Sequence, residues 1–110
     1  MSDKINNSDD QRTHEFSKYL RKFEVPHALN LERGGNLENV EIAYETYGKL
    51  NSDKSNCILI CHAITGDSHV AKHNEKDLPG WWEIMVGPGK PIDTNKFFVV
   101  CSNVLGGCRG

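Results

Sequence analysis

An α/β protein whose sheet starts antiparallel and continues in parallel is the fold class this sequence predicts. Three observations carry that prediction. Residues 40–47 alternate, with Val40, Ile42, Tyr44 and Thr46 interleaved with Glu41, Ala43, Glu45 and Tyr47; this is the period of a strand with one buried face. Two later runs, Cys57-Ile58-Leu59-Ile60-Cys61 and Phe97-Phe98-Val99-Val100-Cys101, are apolar throughout, the texture of central strands covered on both sides. The roughly 35 residues between them suffice for the crossover that a parallel pair needs.

The chain has 110 residues and a formal net charge of −2, from 13 basic and 15 acidic side chains. One small domain fits that length. Charge so nearly balanced supplies no field to hold nucleic acid or an anionic membrane. No apolar run reaches the ~18 residues of a spanning helix. The start, Met1-Ser2-Asp3-Lys4-Ile5, lacks the apolar stretch of a secretory signal. Composition therefore predicts a soluble, cytoplasmic protein with neither nucleic acid nor membrane as partner. The four cysteines are Cys57, Cys61, Cys101 and Cys108. They read as reduced thiols, because nothing points to a secreted setting and three lie in or beside apolar runs, where free Cys acts as a small hydrophobe.

Residues 1–26 are expected to form a polar leader and a short amphipathic helix. The first eleven are rich in Asn, Asp and Ser without periodicity, the composition of a disordered lead-in. Within residues 12–24, Phe16, Tyr19, Leu20 and Phe23 recur at i, i+3, i+4 and i+7. That spacing predicts a helix whose apolar stripe docks on the protein's own core. Thr13 is its candidate N-cap, and Pro26 ends it. Residues 27–110 form the main domain. Residues 28–32 read as a short strand and Gly34-Gly35-Asn36 as a turn. The alternating segment then completes an antiparallel hairpin, and residues 48–56 are a polar connection.

Chemistry is most expected in Cys61-His62-Ala63-Ile64-Thr65-Gly66-Asp67-Ser68-His69. It sits at the carboxyl end of a predicted buried strand, where open α/β sheets place their ligands. Gly66 and its small neighbours let backbone amides come close to a ligand. His62 is open to three roles, as base, metal ligand or structural hydrogen-bonder, and its position favours the last. His62, His69 and His73 cluster near Cys57 and Cys61, but the spacings match no closed zinc pattern. Cys57 and Cys61 would also stand about 13 Å apart along a strand, so no metal is expected. Trp81-Trp82 followed by Gly87-Pro88-Gly89 predicts an aromatic cover over the sheet edge, and Asp93 an Asx-turn before the last strand. The Gly-rich segment after Ser102 has neither the dinucleotide nor the P-loop order. No Gly-x-Ser-x-Gly elbow occurs anywhere in the chain.

Taken in order, these segments resemble the homoserine O-acyltransferase family of α/β-hydrolase-fold enzymes. The resemblance is carried by Ile42-Ala43-Tyr44-Glu45-Thr46-Tyr47-Gly48, the Cys61 to His69 string, Gly80-Trp81-Trp82, Gly87-Pro88-Gly89-Lys90, Ile92-Asp93-Thr94 and Cys101-Ser102-Asn103-Val104-Leu105-Gly106-Gly107-Cys108. It covers residues 27–110, with Ile64 where the family usually has Leu. It implies the N-terminal portion of an α/β-hydrolase fold, an antiparallel β-hairpin leading into the central, mostly parallel sheet, truncated before the nucleophile elbow. It further implies acyl transfer from acetyl-CoA or succinyl-CoA to the hydroxyl of L-homoserine, in methionine biosynthesis, through a serine acyl-enzyme. Acyl-CoA is then a co-substrate, no cofactor is bound, and the full-length protein is a homodimer. The loop after the third strand supplies one oxyanion amide in this fold. Residues 61–69 match that loop, which makes the backbone N–H of Ile64 the candidate oxyanion donor. Ala63, Ile64, Thr65 and Gly66 are the candidate substrate-binding residues. The triad Ser, Asp and His are expected beyond Gly110, so the 110-residue chain alone is expected to be inactive. Two other readings stay open: an acyltransferase for another hydroxyl such as that of L-serine, and a truncated remnant that acts only as an interaction module.

Overall fold

The computed structural model describes residues 18–107. The predicted leader, residues 12–17 of the predicted helix, and Cys108 lie outside the described residues. Among those described, the strands are β1 (Arg21–Glu24), β2 (Leu29–Asn30), β3 (Asn36–Leu37), β4 (Glu41–Tyr47), β5 (Cys57–Ile60), β6 (Val86–Gly87), β7 (Ile92–Asp93) and β8 (Phe98–Ser102). A mixed sheet in the order β1-β4-β8-β5 forms the frame. β4 is antiparallel to β1 and β8. β5 and β8 are parallel, with Ile60 opposite Cys101, as their two apolar runs predict. Among the described residues, no helix is long and apolar enough to cross a membrane.

The connection from β5 to β8 folds over one face of the sheet. It carries Val70, Ala71 and Val86 into a buried cluster with Tyr47, Ile60, Val99 and Cys101, and Trp82, Met85 and Phe97 pack against it. Val70, Val86 and Val99 are fully buried, and each such side chain contributes roughly 1.5–3 kcal/mol. A short parallel pair, β6 with β7, stiffens this cover. The predicted aromatic lid is present: Trp82 packs on the core, and Trp81 stacks on it with ring centroids 5.6 Å apart. Asp93 forms the expected Asx-turn, its Oδ1 accepting the N–H groups of Gly89 and Asn95.

Two expectations are corrected. The predicted helix does not extend through residues 21–24. Lys18 and Tyr19 are helical, but Arg21–Glu24 is strand β1, with Phe23 opposite Ile42. The free edge of β4 offers a ladder of backbone partners, and Phe23 stays 53% exposed, so this end of the predicted stripe does not dock on the core. Tyr19 instead stacks on the ring of His73 at 4.1 Å. The hairpin is also smaller than expected. β2 pairs with β3 across Gly34 and Gly35, both at positive φ, while β4 pairs elsewhere. As the alternation predicts, one face of β4 is buried: it is the face with Ala43, Glu45 and Tyr47, while Ile42, Tyr44 and Thr46 are half-buried. β5 is an edge strand among the described residues, and Leu59 is 65% exposed.

Candidate functional site

The chain leaves β5 at its carboxyl end through a tight turn. The Gly66 N–H donates to the Ala63 carbonyl at 2.9 Å, which puts Ile64 and Thr65 at the tip. Ala63, Ile64 and Thr65 are exposed and Gly66 is half-buried. Ile64 is 94% exposed. The N–H groups of Ile64 and Thr65 make no hydrogen bond among the described residues. The turn is braced from behind by His62. Its Nε2 accepts the Val104 N–H at 3.2 Å, so Nδ1 carries the proton and donates to the Ala63 carbonyl at 2.6 Å. His62 is thereby a structural tie between this turn and the segment after β8, as its position predicts. Gly66 has no substitute here, because a Cβ would stand 2.9 Å from the Cβ of His62.

The next residues are anchored by a buried polar network. Ser68, His69, Glu45, Asp77 and Asn103 are all buried. The Ser68 N–H donates to Asn103 Oδ1 at 2.8 Å, and its hydroxyl donates to Glu45 Oε2 at 2.8 Å. The Tyr47 hydroxyl donates to the Ser68 carbonyl and accepts the Val70 N–H, both at 2.9 Å. His69 reaches Glu45 Oε1 through Nδ1 at 2.9 Å and the Leu78 carbonyl through Nε2 at 2.7 Å. Asp77 accepts from the backbone N–H and Nδ1 of His73, at 2.8 and 2.9 Å.

These surroundings set the charges. Burial works against a charged His69, but the hydrogen bonds it donates to Glu45 and the Leu78 carbonyl outweigh it, and its pKa is raised above 6.5. Burial pushes Asp77 up, yet the His73 N–H groups and the His69 charge prevail, leaving it below 3.8. Burial, with the Asp67 and Glu45 charges, pushes the Cys101 thiol up to about 12, which marks it as an inert core residue. Glu45, His69 and His73 also offer ligand atoms within 4.8 Å of one another. The cysteine and histidine spacings that argue against a metal do not include Glu45, which arrives from another strand. Glu45, Asp77 and Asn103 are the residues that sequence reasoning did not single out. The one local signal was a carboxylate in mid-strand.

A cavity of about 300 Å³ lies elsewhere, between Tyr47, His73, Lys72 and the Gly87-Pro88 turn; residues 63–66 do not line it. No family model matches the chain. The bifunctional methionine biosynthesis protein MetXA/MetW of Rhodopirellula baltica is 53% identical over 106 residues, covering 96% of this chain and 17% of that protein. That match is wider than residues 27–110. The homoserine O-acetyltransferase of Methanohalophilus mahii is 68% identical over 83 residues, 74% of this chain and 17% of its own length. The chain belongs to the homoserine O-acyltransferase family. The crystal structure of homoserine O-acetyltransferase from Bacillus anthracis matches at a TM-score of 0.67 and 44% identity, over 76% of this chain and 22% of that one. The sheet is accordingly part of an α/β-hydrolase fold. The chain spans about a fifth of the length of the family members it matches.

Proposed function

We propose that the protein transfers an acyl group from acetyl-CoA or succinyl-CoA to the hydroxyl of L-homoserine, a step of methionine biosynthesis. A serine hydroxyl attacks the thioester carbonyl, its proton passes to a base, and coenzyme A leaves as the thiol. The homoserine hydroxyl then attacks the acyl-serine, and the serine regains its proton. Both steps gather negative charge on the carbonyl oxygen, which pre-aimed N–H donors stabilise. The observation that carries this reading is the 63–66 turn at the end of β5. It leaves the Ile64 N–H unengaged among the described residues, in an exposed turn that His62 ties down. Ile64 is the oxyanion donor of the proposal, and Ala63, Thr65 and Gly66 line the acyl and homoserine pocket. The triad is assigned to no residue of this chain. The enzyme works in the cytoplasm as a homodimer, with acyl-CoA as co-substrate, no bound cofactor, and neither nucleic acid nor membrane as partner.

The test is thiol release from acetyl-CoA and succinyl-CoA by protein expressed from its complete open reading frame. Homoserine-dependent release is expected with one of the two donors, and none from residues 1–110 alone. Release that ignores homoserine, or that responds to serine in its place, would overturn the assignment.

A further inference from the structure

We propose that Glu45 is a positioning residue for the 63–66 turn: with a cationic His69 it forms a buried ion pair that locks residues 68–70 to the sheet. The inference rests on the acyl-transfer reading for what the turn does, but not for the pair itself.

The charge of His69 follows from geometry. A neutral imidazole has one N–H to donate. The Leu78 carbonyl, 2.7 Å from Nε2 of His69, can only accept, and Glu45 Oε1, 2.9 Å from Nδ1, does so as the carboxylate of the proposed pair. Both must therefore carry protons, and the ring is an imidazolium. Its raised pKa agrees. Glu45 is 1% exposed. A carboxylate so buried is costly unless paired and fully hydrogen-bonded, and both conditions are met: Oε1 takes His69, and Oε2 takes the Ser68 hydroxyl. The other groups around the pair are Asp77, 3.8 Å from His69 Nε2, His73, whose Nε2 stands 3.6 Å from Glu45 Oε1, the Tyr47 hydroxyl, and the neutral Cys101 thiol from β8. Asp67 adds a short clamp, its Oδ1 accepting the His69 N–H at 2.8 Å.

The mechanical consequence lies one residue away from the turn. Ser68 is held by three bonds, to Asn103, Glu45 and Tyr47, and only Asp67 separates it from Gly66. Loss of the charge on Glu45 frees the His69 ring, then Ser68, and lets the tip of the turn drift. Catalytic donors tolerate little drift, since a misplacement of about 1 Å can cost about 10²-fold.

The decisive measurement is nitrogen-15 NMR of the histidine rings in the full-length protein and in Glu45→Gln. In the wild type, His69 is expected to show two protonated nitrogens at pH 7.5. Glu45→Gln should make that ring neutral at the same pH and speed amide exchange at residues 63–70 by about tenfold or more. In the acyl-transfer assay, the variant should lose 10- to 100-fold in kcat with KM little changed, and its alkaline limb should move toward the ordinary histidine range. Glu45→Asp, which keeps the charge, should recover part of the loss. A neutral His69 in the wild type overturns the proposal even if the variant fails to fold. So does a stoichiometric transition metal retained by the purified protein on His69 Nδ1 and His73 Nε2. A wild type that transfers no acyl group overturns the functional reading instead, and the NMR and exchange results still decide the pair.

Discussion

Residues 61–66 and residues 67–71 are neighbours in one loop, and the structure treats them in opposite ways. The first stretch is largely exposed and held mainly by His62 and one turn hydrogen bond, and the Ile64 and Thr65 N–H groups make no hydrogen bond among the described residues. The second is mostly buried, and almost every polar group on Ser68 and His69 is engaged with β4, Asn103 just after β8, or the segment near Leu78. The contrast shows how a small domain presents backbone donors. The donors themselves must stay free, so the rigidity has to come from the residues that follow. Preorganisation of this kind is what oxyanion stabilisation requires.

The sharpest way to break the comparison is to remove a donor from the open half. Ile64→Pro deletes the N–H and should slow acylation by roughly 10²–10³-fold. Circular dichroism and the melting curve must first show an intact fold, since Pro also fixes φ. A full acyl-enzyme burst in a folded variant would move the donor to Ala63 or Thr65. On the anchored half, Gly80→Ala should act on folding. Its Cβ would stand 2.0 Å from the Val70 carbonyl carbon, in backbone that has no room to give. A loss of about 3 kcal/mol is expected from denaturant midpoints. Ser68→Ala strips one donor from buried Glu45 and should cost about 1–3 kcal/mol by the same measurement.

Titration separates the halves more gently. His69 binds its proton more tightly when folded, so its contribution is complete below pH 6.5 and fades as pH rises through its raised value. Asp77 has the opposite sense: its contribution is complete above pH 3.8 and fades as pH falls. Stability followed by urea unfolding should therefore decline on both sides of a mildly acidic plateau. Glu45→Gln should flatten the alkaline decline. The smallest effect belongs to Ile64→Leu. The side chain is 94% exposed, so stability should change by less than about 0.5 kcal/mol and the rate hardly at all.

Much of this was legible in the sequence. The period of residues 40–47 gave a strand, the two apolar runs gave a parallel pair, and the ordered motifs gave the family. The 61–69 loop stood out because its place after an apolar strand is a matter of local order, and the structure puts it at the carboxyl end of β5. The misread end of the predicted helix shows the limit of that kind of signal. Phe16, Tyr19, Leu20 and Phe23 fit a helical stripe, but the unpaired edge of β4 took Arg21–Glu24 as a strand instead. Local periodicity does not record which edges are left unpaired.

The same limit explains Glu45. The sequence by itself determined that β4 has two faces and that one is buried. Only the tertiary structure decided that the buried one carries a carboxylate, because its partners, Ser68 and His69, lie more than twenty residues away. The strand order, with β8 inserted between β4 and β5, was decided in the same way. Hydrophobic pattern is a property of neighbours along the chain. The pairing of a buried charge, or of a strand edge, is a property of whichever distant groups the fold brings to it.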